Sequence, residues 1–414
     1  MSTISWLDYS ESERRKMLDV ISLFHQQEAR DELGLGTVRD AFADIFFPGT
    51  STIQRRARYF LFVPWIYLDL ERRQVDSNKI ARKAKEQEYD LIDTLLNSGE
   101  KGNGVIGEEA RRNLQRLPSN IYWSGLQQWG ILRFQGSQAQ YHKWFDIQKQ
   151  GSKSRRDPDE DPEFELPGMA PNWHPSIPPI PADFPKNKVT FKLKKSEAQF
   201  LKDQIGRHCR ESLLTFLVQN SRSIIGGVPF AWEHPQYIEF PQSILEKLEH
   251  ARNFSEIMHG AALLYNLMLA EKTEEGQTDT SNATTGDYRN KIQEWLSLIS
   301  GASKRFAVWD KTKFWNIVFT QNPRIRRETK DFVMNWLGCL DRCGRSFDKL
   351  SNDKQTRTMI QYREMALKGH DKARLSNPRA LETWTGKSGT EQLNYRWPIA
   401  RTIINDLITG LKEG

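Results

Sequence analysis

The chain has 414 residues, of which 38 % are apolar and 27 % charged, and its 60 Lys and Arg against 53 Asp and Glu leave a net charge of +7. That length predicts two or three packed units, and the composition excludes a disordered or fibrous chain. No apolar run approaches the roughly eighteen residues of a membrane span, no apolar leader follows Met1, and three cysteines (Cys209, Cys339, Cys343) are too few for a disulfide framework, so a cytoplasmic protein with no membrane partner is expected.

The first strong signals lie between residues 34 and 70. Pro48-Gly49 marks a turn, and Ser51-Thr52-Ile53-Gln54 fits a capping box, which predicts a helix from Thr52. Its first turns carry Arg55, Arg56 and Arg58. Cations near a helix N-terminus oppose the macrodipole, at a cost of about 0.3–1 kcal/mol each. They call for a partner: internally Asp40 and Asp44, just upstream, or externally a phosphate or an acidic peptide. Tyr59–Leu70 is apolar on all sides except Asp69, and predicts a buried helix kinked or interrupted at Pro64.

Residues 151–186 hold nine of the 18 prolines. Proline removes a backbone donor and fixes φ, so this stretch predicts an extended linker (151–187) joining an N-terminal helical domain, 1–150, to a C-terminal one, 188–414. Lys188–Leu193, Ile224–Phe230 and Tyr237–Phe240 are short strand candidates. Helical stripes follow at Phe200, Leu201, Ile205, Leu213, Phe216 and Leu217, and over Ser243–Lys272. Glu274–Gly286 reads as a polar loop. Further stripes fall at Tyr288, Ile292, Trp295, Leu296 and Ile299, at Phe332, Val333, Trp336, Leu337 and Leu340, and from Pro398 to Leu411. The expected fold class is mainly α, helical bundle units with a minor β component.

Charge is distributed unevenly. Lys304–Gly414 contains 22 Lys and Arg and 12 Asp and Glu, while the first 303 residues carry a small acidic surplus. Such a block is the electrostatic footprint of a polyanion, either nucleic acid or an acidic partner, or else a solvated basic surface. Within it, Arg324, Arg326 and Arg327 open the helix bearing Trp336, where backbone N–H groups and guanidinium groups would hold a phosphate together. Lys372 and Arg374 lie before Asn377-Pro378. Tyr395-Arg396-Trp397 sets a cation between two aromatics, as a phosphate- or base-reading site or as a packed anchor for the terminal helix. Two further basic groups are Lys153–Arg156 and Lys186–Lys195.

Catalytic spacings are incomplete. Gly386-Lys387-Ser388 lacks the earlier glycine of a P-loop, since position 381 is Leu381. His370-x-Lys372 with Asn377 has the spacing of the phospholipase D-type motif, but carries Asn where that motif needs an acid. Cys339 and Cys343 share a helix face and His208-Cys209 offers more ligands, yet the paired knuckles of a zinc site are missing. The sequence therefore predicts no metal, no cofactor and no identifiable catalytic residue.

Two sets of motifs remain: Arg39-Asp40-Ala-Phe, Phe47-Pro48-Gly49-Thr50-Ser51, Arg56-Ala-Arg58-Tyr59-Phe and Pro64-Trp65-Ile66-Tyr67 near one end, and Ala373-Arg374-Leu375, Asn377-Pro378-Arg379, Trp384-x-Gly386 and Tyr395-Arg396-Trp397 near the other. In these the chain resembles a bacterial family of unknown function, number six-three-six-one in the catalogue of domains of unknown function. The resemblance covers nearly the whole chain. It implies no chemistry. It implies a setting among phage-defence and DNA-modification genes, beside helicases and nucleases. Three functions are weighed on this basis: a non-catalytic nucleic-acid-associated accessory protein, a protein scaffold for a helicase or nuclease partner, and a nuclease or other hydrolase whose site assembles from distant residues.

Overall fold

The computed structural model describes residues 31–144, 171–182, 184–186, 188–275 and 284–413. The longer helices among them are α1 (Gly36–Phe46), α2 (Tyr59–Arg72), α3 (Ser77–Asn97), α4 (Pro118–Gln128), α5 (Lys195–His208), α6 (Leu213–Asn220), α7 (Gln242–Glu275), α8 (Thr285–Gly301), α9 (Lys311–Gln321), α10 (Arg327–Cys343), α11 (Lys354–Lys368) and α12 (Trp397–Glu413). Mainly helical architecture is thus the observed fold class. The basic group Lys153–Arg156, most of the Pro-rich stretch and the middle of the Glu274–Gly286 loop lie outside the described residues.

The minor β component is not found. The described residues contain no strand, only an isolated antiparallel bridge between Leu132 and Trp173. Lys188–Leu193 does alternate between exposed and buried side chains, as a strand would. Its backbone donors, however, are taken by side chains: Val189 N–H donates to Ser98 Oγ at 3.1 Å and Phe191 N–H to Glu100 Oε1 at 2.8 Å. Segment 224–230 is a loop and Tyr237–Glu239 a single 3₁₀ turn. The helix expected from Thr52 is also absent, and α2 begins at Tyr59. It runs through Pro64 without interruption, with Tyr59 to Tyr67 and Leu70 buried.

The chain groups into two compact units. The first contains the described residues up to Phe42 together with Glu246–Leu393, and the second Ala43–Leu245 together with Asn394–Gly414. In the second unit α2 packs on α3 and α4, and α12 packs on α5 and α6. The reason is in the patterning: Ile403, Ile404, Leu407 and Ile408 make one buried stripe on α12, and Ile80, Ala84, Leu91, Ile92 and Leu95 make another on α3. Each such buried aliphatic side chain contributes about 1.5–3 kcal/mol relative to exposure. Gly410 lets α12 approach closely, since a Cβ there would lie 2.8 Å from Leu193 Cβ and 2.9 Å from Ala198 Cβ. The described part of the Pro-rich stretch packs into this unit. Trp173 is buried, Arg133 N–H donates to Asn172 O at 2.7 Å, and Trp65 Nε1–H donates to Pro178 O at 2.8 Å.

In the first unit the part of α7 from Glu246 onward carries much of the core. Trp295 and Trp336 donate their indole N–H groups to the Glu256 and Ile257 carbonyls at 2.7 and 3.0 Å, and Gly260 leaves the space that the Trp295 ring fills. The loop at Gly386-Lys387-Ser388 is pinned to the same helix. Asn266 accepts from Ser388 N–H at 2.9 Å and from Trp384 Nε1–H at 3.2 Å, and donates to Ser388 O at 2.8 Å.

Candidate nucleic-acid interface

Arg58 and Glu197 create the most distinctive site in the second unit. Both are buried, and the guanidinium clasps the carboxylate in a bidentate pair at 3.0 and 2.8 Å. Arg58 Nη1 also donates to Thr190 O at 2.8 Å. Glu197 accepts the Lys194 N–H at 3.0 Å, in the third position of α5. One charge pair therefore fixes three things: the Thr190 carbonyl, the turn at Lys194 and the start of α5. Between them the segment 188–194 is held so that Val189, Phe191 and Leu193 point inward while Lys188, Lys192 and Lys194 point outward.

A groove of about 980 Å³ lies against this segment. Lys188, Lys192, Lys194 and Lys195 line it, all exposed. Its apolar side is made by Phe62, Trp65 and Phe184, together with Pro181. Phe62 and Trp65 are fully buried, whereas Phe184 is half-buried, stacked on Phe62 at 5.8 Å and edge-on to Trp65 at 5.3 Å. Four ammonium groups beside an aromatic wall form a concave surface suited to an anion with an apolar or aromatic part.

The residues singled out from sequence are scattered by comparison. Arg55 is exposed, and its backbone N–H donates to Tyr122 Oη at 2.9 Å. Arg56 forms a bidentate pair with Asp406, at 2.9 and 2.7 Å, and lies over the Phe191 ring. The internal partners of this trio are thus Asp406 and Glu197; Asp40 pairs with Arg39 and Asp44 with Arg396. Arg396 Nη1 contacts Asp44 Oδ1 at 2.5 Å and Thr50 O at 2.8 Å. Trp397 is fully buried and donates to Val228 O at 2.9 Å, so this aromatic–cation–aromatic run serves as a packed anchor.

In the first unit Arg374 belongs to a buried network. Its Nη1 reaches Glu32 Oε1 at 2.7 Å and Ser388 Oγ at 2.9 Å. Glu364 accepts from Tyr265 Oη–H at 2.5 Å, Lys368 Nζ at 2.9 Å and the backbone N–H groups of Arg374 and Leu375 at 3.0 and 2.9 Å. Lys368 bridges to Glu32. Two carboxylates face two cations, so the network locks the 373–375 turn onto α11 and α7. Burial, with the two carboxylates beside it, pushes the Tyr265 hydroxyl far above its ordinary range. Lys372 is exposed, and so are Arg324, Arg326 and Arg327, which form no ion pair among the described residues.

The basic surplus of the last quarter is consequently not a surface excess of the same size. Arg305, Lys313, Arg357, Lys368, Arg374 and Arg396 pair with Glu256, Glu246, Glu271, Glu32, Glu32 and Asp44, every one a carboxylate from the first 303 residues. The groove itself is traceable to the Lys186–Lys195 cluster. What the sequence does not signal is that Arg58 and the Phe184 region border it.

A Gly-x-Gly-x-x-Gly spacing at Gly102–Gly107 escapes the motif reading above. It sits in the loop after α3, with Gly102, Gly104 and Gly107 at positive φ and Gly102 N–H bound to Glu108. The strand that must precede a dinucleotide fingerprint is replaced by a helix. Among the described residues no group of three or more His, Cys, Asp or Glu could hold a metal ion, and no helix is long and apolar enough to cross a membrane.

No curated protein and no solved structure matches the chain. A family model does match it over residues 1–410, and the chain accordingly belongs to the family of unknown function DUF6361.

Proposed function

We propose that this protein binds nucleic acid through the lysine-lined groove, as a non-catalytic accessory component of a bacterial phage-defence or DNA-modification system. The observation that carries the binding part is the convergence of Lys188, Lys192, Lys194 and Lys195 on one concave surface. The setting rests on the family resemblance alone. Lysine ammonium groups act as point charges toward phosphates, so the binding is sequence-tolerant and governed by counterion release.

The test is fluorescence anisotropy with labelled oligonucleotides over a salt series. Four phosphate contacts give a slope of log affinity against log salt of about −3. Reversal of two lysines, Lys192→Glu with Lys194→Glu, brings that slope toward about −1 and weakens binding at low salt. Reversal of Arg324, Arg326 and Arg327 in a separate variant measures what that exposed cluster adds. Binding that ignores salt, or that survives the double reversal unchanged, overturns the reading.

A scaffold for a helicase or nuclease partner is the second reading. It is favoured by Ile224 and Ile238, 58 % and 87 % exposed, on two loops of the second unit tied together by Arg222 and Glu239 at 2.9 Å. Co-purification of a partner that resists nuclease treatment supports it over the first.

A further inference from the structure

We infer that the second unit carries a site for a phosphate-type dianion, built by Arg133, His174, Arg207 and His208. None of the four lines the lysine groove. The site stands or falls separately from the nucleic-acid reading.

The four residues come from three parts of the chain. Leu132 and Trp173 form the isolated antiparallel bridge. It is flanked by Arg133 N–H donating to Asn172 O at 2.7 Å and His174 N–H donating to Ile131 O at 2.9 Å, so residues 131–133 and 172–174 lie side by side. His174 sets its ring beside Phe200 of α5, with centroids 5.6 Å apart. The last turn of α5 supplies Arg207 and His208. His208 lies against Gly130, where a Cβ would stand 2.2 Å from its Nε2, and its Nδ1–H donates to Gln204 O at 3.1 Å.

What sets the cluster apart is the sign of its charges. Burial first, and then the positive groups Arg133, Arg207 and His208, hold His174 below the ordinary histidine pKa, and no carboxylate acts on it in the opposite sense. Arg133 and Arg207 are exposed, and neither forms an ion pair among the described residues. Asp203, four residues before Arg207 on α5 and placed to pair with it, accepts instead from Gln199 at 2.7 Å.

The end of α5 explains only half of this arrangement. Cations in the last turn of a helix are favoured by its macrodipole, which accounts for Arg207 and His208. Arg133 and His174 belong to no helix, and gathering them at the same place is unfavourable unless an anion joins them. Two guanidinium groups present forked N–H donors that match the oxygens of a phosphate. His174 accepts the Ser176 N–H on Nδ1 at 3.2 Å, so its neutral ring carries the proton on Nε2 and offers one more donor there.

The experiment titrates sulfate and inorganic phosphate into the full chain by calorimetry, at low ionic strength and near neutral pH. Both are expected to bind one to one. Arg133→Gln with Arg207→Gln is expected to weaken binding about tenfold or more, the loss of hydrogen bonds to a charged group. Both side chains are exposed and unpaired, so the melting temperature is expected to stay unchanged and to show that the fold is kept. Lys192→Glu with Lys194→Glu is expected to leave the affinity within about twofold, since charges beyond the screening length act weakly. An oligonucleotide with and without a 5′-phosphate separates the two sources of the group: a gain from that phosphate that needs Arg133 and Arg207 assigns a nucleic-acid end, and no gain assigns a free phosphate compound. Failure of both anions to bind, or binding that the double arginine variant retains, overturns the inference. So does binding that the lysine variant abolishes, since the anion then sits in the groove.

Discussion

Glu88 offers the sharpest test of the packing in the second unit. It lies on the buried face of α3 with 1 % of its surface exposed, and among the described residues no cation stands beside it. Its carboxylate accepts two hydrogen bonds, both from Ser119: the backbone N–H at 2.8 Å and the hydroxyl at 2.7 Å. The Ser119 hydroxyl in turn accepts from Gln138 Nε2 at 2.9 Å, which also donates to Tyr67 Oη at 2.5 Å. Burial disfavours the charged form more than the two donors favour it, so the acid titrates at about 7 instead of 4.5. Below 4.5 the folded and unfolded chains both carry the proton and no penalty arises. Between 4.5 and 7 the native state holds the proton and the unfolded state has lost it, so stability falls as pH rises. Above 7 the penalty is complete, at about 3 kcal/mol. Glu88→Gln removes that slope. His142, whose pKa burial lowers to about 4, contributes a slope of opposite sign below 6.5, and it is present in both proteins. The informative quantity is therefore the difference between wild type and variant, from urea unfolding at pH 5 and pH 8. The variant loses the acceptor for the Ser119 hydroxyl proton, a cost of about 1 kcal/mol at every pH. Relative to wild type it must gain about 2.5 kcal/mol between the two pH values. Parallel stability curves would show that Glu88 is ionised in the fold across the whole range, and would refute the reasoning.

The brace behind the lysine segment makes a second prediction: Arg58→Ala leaves Glu197 buried without its cation and costs about 3–5 kcal/mol in urea unfolding, and Arg58→Met with Glu197→Leu recovers most of that. Close packing in the first unit makes a third. A Cβ at Gly260 would stand 2.1 Å from Trp295 Cζ2, and the indole is held by its bond to Glu256 O, so Gly260→Ala costs about 1–3 kcal/mol or more and lowers the melting temperature, whereas alanine at Gly301, where no atom lies within 4 Å, does not.

Helices with long apolar stripes were legible from periodicity alone. The stripes at Tyr288–Ile299 and Phe332–Leu340 match α8 and α10, and Ser243–Lys272 matches α7. The failures share one physical cause, the capture of backbone donors by distant side chains. At Ser51-Thr52-Ile53-Gln54 the reciprocal half of the capping box does form, with Gln54 Oε1 accepting from Ser51 N–H at 3.3 Å. No helix follows, because Arg55 N–H goes to Tyr122 Oη and Ala57 N–H to Asp406 Oδ2, each at 2.9 Å. Residues 188–193 have strand parity without a strand for the same reason, with Ser98 and Glu100 standing where a ladder partner would be. A local rule counts donors along the chain; it has no access to an acceptor some 67 or 349 residues away.

The same limit applies to charge. Net charge over a sequence window marks a binding face only if the window's cations are left unmatched in space, and in the last quarter several are matched by carboxylates from the remainder of the chain. Arg324, Arg326 and Arg327 are exposed. At the lysine-lined groove the charge of one carboxylate is turned inward. Its nearest carboxylate in sequence, Glu197, is withdrawn into the interior and held by Arg58 and the Lys194 amide. A buried pair of this kind contributes little net stability. Its consequence here is positional: it anchors the segment that carries Lys188, Lys192 and Lys194. That is why Arg58, chosen from sequence as a ligand for an anion, matters to the groove as the residue that holds the lysines in place.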